Sequence, residues 1–72
     1  MDSETEMKNL LREFNKGVRG VKIASGIMCV YVSSAKAAFG VTLDLLRSRA
    51  FRSVTTTPNN QAGHGFIVHA IK

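Results

Sequence analysis

Two runs rich in β-branched residues, Val18 to Ala24 and Ile27 to Val32, are separated by Ser25-Gly26 alone. A gap of two residues lets a chain reverse only through a tight β-turn, and glycine supplies the positive φ such a turn demands. The spacing therefore fixes a register. Ile23 faces Met28 and Val21 faces Val30 on one side of the ribbon, with Ala24/Ile27, Lys22/Cys29 and Gly20/Tyr31 on the other. A lone hairpin is marginal in water, so the rest of the chain must cover it.

The flanking segments supply that cover. Ser3-Glu4-Thr5-Glu6 has the form of a capping box, and Met7, Leu10, Leu11 and Phe14 recur at helical spacing behind it. Gly17 provides a left-handed stop, which places a first helix over about 4–16. Ser33 or Ser34 caps a second helix. On its wheel Ala35, Phe39, Thr42, Leu43, Leu46 and Ala50 form one stripe, flanked by Lys36 and Arg47 on one side and Arg49 on the other. That stripe is expected to face the sheet. Gly40 inside the helix costs about 1 kcal/mol relative to alanine and is read as close packing on the sheet. Phe51 to Thr57 and Phe66 to Ile71 then read as strands joined by the turn-rich loop Thr57 to Gly65. The fold expected is α+β, a two-layer sandwich of order α-β-β-α-β-β with two helices on one face of an antiparallel sheet.

Seventy-two residues allow one small basic domain, 1–72, whose core is marginal. Aliphatic residues throughout and 44% hydrophobic content argue against disorder. Cys29 is the only cysteine, so no disulfide closes within the chain. Two histidines and one cysteine without paired ligand spacing make a poor metal set, and no cofactor or metal is expected. Self-association is the remaining way to supplement so small a core. The longest apolar run, Ile27 to Val32, is too short to span a bilayer. With an acidic start unlike a secretory signal and one cysteine, a cytoplasmic setting without membrane contact is expected.

The net charge of +5 is unevenly spread. Residues 1–15 hold Asp2, Glu4, Glu6 and Glu13 against Lys8 and Arg12. From residue 16 onward Asp44 stands alone against Lys16, Arg19, Lys22, Lys36, Arg47, Arg49, Arg52 and Lys72. Such a field attracts polyanions. Arg47, Arg49 and Arg52, with Lys22 and Lys36, are the candidate phosphate contacts, because the arginine fork fits phosphate. Basic residues also offset the dipole at a helix C-terminus, which is the plainer account of Arg47 and Arg49. The leading expectation is a small non-enzymatic nucleic-acid-binding module acting as a homodimer. The alternative is a protein-interaction module or inhibitor, of the kind phages and mobile elements encode, docking on an acidic surface of a larger protein or nucleoprotein complex.

Alternation along the last strand puts Phe66, Val68 and Ala70 on one face and Ile67, His69 and Ile71 on the other. With helices covering one face, the opposite face carries Ile27, Cys29, Tyr31, Ile67, His69 and Ile71, the expected dimer interface. Base stacking is the competing use of that face, although Tyr31 is its only credible stacking residue. Cys29 and His69 would suggest a thiol–imidazole pair, but no orienting acid is in view, and no catalytic residue is assigned. His64, between Gly63 and Gly65, reads as part of a turn. No small-molecule substrate is indicated. In element order, the stretch VYVSSAKAAFGVTLDLLRSRAF followed by a strand hairpin is similar to Alba-type chromatin domains lacking their first strand. The loop TPNNQAGHG has none of the basic residues of a groove-reaching arm, so the likeness implies architecture alone.

Overall fold

The computed structural model describes residues 3–59 and 65–72, with Phe14 described by its backbone only. The elements are α1 (Ser3–Phe14), β1 (Val18–Ala24), β2 (Ile27–Val32), α2 (Ala35–Ser48), β3 (Ser53–Pro58) and β4 (Phe66–Ile71). The four strands form one antiparallel sheet in the order β1-β2-β4-β3, with both helices on one face. The expected fold class and element order hold.

The hairpin forms in the register that its spacing requires, with Ile23 opposite Met28 and Val21 opposite Val30. Ser25 and Gly26 take φ of 52° and 79°, positive at both central positions as a type I′ turn demands. A register shift between Val18 and Gly20 marks a bulge at Arg19, near the point where the chain enters the strand. Each half of the chain reads helix, strand, strand, and the two halves meet where β2 pairs with β4. Val30 and Val68, both fully buried, face each other across that seam.

The expected core stripe of α2 is the wrong one. Ala37, Ala38, Val41 and Leu45 are buried against the sheet, while Phe39 is 68% and Leu46 50% exposed. The helix carries apolar residues on two opposite faces, and its entry decides between them. Ser34 caps it by accepting from the Ala37 N–H at 3.1 Å. Beside the cap, Gly17 presents bare backbone to the Ser33 hydroxyl and the Ala37 methyl, leaving no room for a Cβ. Small side chains at 37 and 38 then let α2 settle closely on the sheet, which a phenylalanine would hold away. Midway along α2, Thr42 bonds back to the Ala38 carbonyl at 2.7 Å and meets Thr56 of β3 at 3.3 Å.

Gly40 does not pack on the sheet either. It lies beneath the side chain of Asn15, which follows α1. Helix α1 ends at Phe14 and not near residue 16, because the Asn15 side chain turns back to the Leu11 carbonyl at 3.3 Å and Gly17 reverses the chain at φ 101°. At its other end Glu4 accepts from the Ile23 N–H at 2.6 Å, occupying a donor on the free edge of β1. Strand β3 starts two residues later than Phe51, since Arg49 in the left-handed region (φ 58°) and the segment through Arg52 are spent leaving α2.

Candidate functional site

The topology gathers several chain ends at one end of the sheet. Ala24 pairs with Ile27, Ile27 with Ile71, and Ile71 with Ser53, so the β1–β2 turn, the end of β4 and the start of β3 lie together. The end of α2 leads directly into the same region. Arg47 is in its last turn and Arg49 is its C-cap. The Arg52 N–H donates to the Ile71 carbonyl at 2.7 Å, and the Lys72 N–H to the Gly26 carbonyl at 3.3 Å. Three of the five candidate cations therefore share this end, joined by Lys72, which the sequence reading left out because a residue past the last strand carries no periodic signal. Lys36 does not join them. It lies in the first turn of α2, about 16 Å from Arg47 along the axis. Lys22 projects from the uncovered face of β1, across from Cys29.

Beside the arginine end the two helices flank a cleft. Helix α1 packs on β1 whereas α2 packs on β4, β3 and β2, and an open cleft of about 580 Å³ runs between them. Its walls are apolar, from Met7, Leu10, Leu11, Leu45 and Phe51, and Arg47 and Lys72 stand at its rim. Leu10, read as a core position from its spacing, is 51% exposed here. Asp44, the one acid among the described residues lining the cleft, accepts a hydrogen bond from Asn15 at 2.8 Å. It therefore faces the end of α1.

Among the described residues no helix covers the opposite face of the sheet. Ile27↔Ile71, Cys29↔His69 and Tyr31↔Ile67 are paired across β2 and β4, so the six residues expected at a dimer interface share one face. Ile27 is 39% exposed and the other five are half-buried. Cys29 Sγ lies 3.5 Å from His69 Nδ1, and His69 Nε2 lies 3.0 Å from Thr57 Oγ1 on β3. The third member that the sequence reading missed is thus a hydroxyl. Only the pairing of β3 with β4 brings Thr57 beside the ring, and no spacing within the chain announces it. A neutral hydroxyl orients an imidazole without stabilising its cation as a carboxylate would, so the trio lacks the electrostatics of a nucleophilic triad. His64 lies outside the described residues. Among the described residues no three of the His, Cys, Asp and Glu side chains cluster, and no helix is long and apolar enough to cross a membrane.

Comparison with known proteins finds no matching family model, no matching curated protein and no matching solved structure.

Proposed function

We propose that the chain is a small non-enzymatic docking module that takes an acidic amphipathic segment of a larger protein into the cleft between α1 and α2. The observation carrying this is the pairing of an apolar trough with a cationic rim. Met7, Leu10, Leu45 and Phe51 offer the floor and walls for an apolar helix face, and Arg47 and Lys72 meet acids flanking that face. The overall charge of +5 would steer an acidic partner and speed its encounter.

The test is fluorescence anisotropy with a synthetic helical peptide bearing leucines at i, i+3, i+4 and i+7 and glutamates elsewhere. Leu10→Glu and Arg47→Glu should each weaken binding tenfold or more, a loss of about 1.4 kcal/mol. A scrambled peptide of the same composition should bind far more weakly. Equal binding of both peptides, or an unaffected Leu10→Glu variant, would overturn the reading.

A second reading, nucleic-acid binding by a homodimer, is favoured by the convergence of Arg47, Arg49, Arg52 and Lys72 at one end. It predicts affinity for single- or double-stranded nucleic acid that falls steeply with salt. On that reading Arg49→Ala with Arg52→Ala weakens binding and Leu10→Glu does not. The same set of variants thus separates the two functions.

A further inference from the structure

We propose that Cys29 and His69 form half of a tetrahedral zinc site, completed by the same two residues of a second copy stacked open face to open face. The spacing of the two ligand atoms is the first argument. With Zn–S of about 2.3 Å and Zn–N of about 2.0 Å, a tetrahedral angle sets sulfur and nitrogen about 3.5 Å apart. Cys29 Sγ and His69 Nδ1 stand 3.5 Å apart.

The second argument is the far side of the ring. A zinc-bound histidine is held by a hydrogen bond from its other nitrogen, which fixes both tautomer and orientation. Thr57 Oγ1, 3.0 Å from Nε2, fills that role; with Nε2–H donating to the hydroxyl, Nδ1 turns its lone pair toward the sulfur.

The third argument is position. Cys29 and His69 are direct partners on the two central strands, so the pair sits in the middle of the uncovered face. A two-fold axis running parallel to the face, midway between two stacked sheets and directly over that point, brings pair onto pair, the self-complementary geometry of a C2 dimer. Stacked sheets lie about 10 Å apart, so a mid-plane ion is about 5 Å above each sheet. That distance matches the reach of a cysteine side chain plus a bond of about 2.3 Å to zinc.

Among the described residues of one chain no third His, Cys, Asp or Glu joins the pair. Two chains supply Cys₂His₂. Each thiol releases its proton to solvent on binding, so two thiolates balance the dication and the centre is neutral. Ile27, Tyr31, Ile67 and Ile71 flank the pair along β2 and β4 with apolar surface that the second copy would also cover and that a neutral centre suits, while Lys22 and Thr55 stand beside it on the two outer strands. The metal would thereby link the unpartnered face to the self-association that a core of this size calls for. The cleft between the helices lies on the other side of the sheet, and this site does not depend on it.

The experiment uses the metal-stripped full chain and zinc itself as the probe. Light scattering after size exclusion should show the mass doubling on addition of zinc, with one ion bound per two chains. Cobalt in place of zinc should give the intense visible bands of a tetrahedral site and a sulfur-to-cobalt charge-transfer band. Cys29→Ser and His69→Gln should abolish both readouts, with far-UV circular dichroism confirming that they fold. Thr57→Val, which leaves both ligands in place, should lower zinc affinity 10- to 100-fold. Zinc bound one per chain without a change in mass, a dimer that persists in Cys29→Ser, or zinc uptake no greater than in His69→Gln would each overturn the proposal.

Discussion

Asn15, just past α1, donates to the Asp44 carboxylate of α2 at 2.8 Å, with its amide oxygen seated over the bare backbone of Gly40. The two helices lean on different strands, and this polar tie joins them where the sheet does not. It also assigns Gly40 a purpose that a helix wheel cannot reveal.

The tie predicts an unusual response to Gly40→Ala. Alanine gains about 1 kcal/mol of helix propensity. Its Cβ takes the place of the Asn15 oxygen and displaces the amide from Asp44, losing a bond worth about 1 kcal/mol. The single variant should therefore unfold near the wild-type midpoint, while the same change in an Asn15→Ala background should stabilise by about 1 kcal/mol. Urea unfolding of the four proteins measures the coupling; a value under about 0.3 kcal/mol would mean that the two residues act independently.

The two stripes of α2 are distinguishable by truncation. Val41 is fully buried, and Val41→Ala should cost about 2 kcal/mol in lost transfer energy and cavity. Phe39→Ala removes a much larger side chain from a position 68% exposed, and should change stability by no more than about 0.5 kcal/mol. The opposite ranking in thermal or chemical unfolding would restore the stripe that the sequence pattern favours.

Gly65 and Gly26 both have positive φ but differ in their surroundings. At Gly65, with φ 149°, an added Cβ would meet the Val32 carbonyl oxygen at 2.5 Å, a backbone atom that cannot swing aside. Gly65→Ala should cost about 3 kcal/mol or more. At Gly26, with φ 79°, a Cβ meets open space, so only the left-handed conformation is penalised, by about 1 kcal/mol. Equal losses on unfolding would contradict the close approach of Gly65 to β2.

Glu4 guards the edge of β1. Removing its carboxylate with Glu4→Ala leaves the Ile23 N–H to solvent and loosens the start of α1 from the strand. A loss of about 1 kcal/mol is expected, with faster hydrogen exchange at the Ile23 amide. Unchanged exchange there would show that the carboxylate does not hold that donor in solution.

What the amino-acid sequence determined by itself was local. Ser25-Gly26 between two β-branched runs set the hairpin register from the turn out to Gly20 and Tyr31, and period-two alternation assigned both faces of Phe66 to Ile71, because turns and pleats depend on near neighbours. The residues of the uncovered face followed from the same alternation. The tertiary structure decided which of the two apolar stripes of α2 turns inward, through contacts with Gly17, distant in sequence. It also set Asn15 over Gly40, gathered Lys72 with the arginines while leaving Lys36 at the other end of its helix, and laid Thr57 beside His69. Each of these is a meeting of segments whose separation along the chain leaves no periodic trace. Their side chains are chosen by packing and hydrogen bonding, which act only once the sheet has brought those segments together.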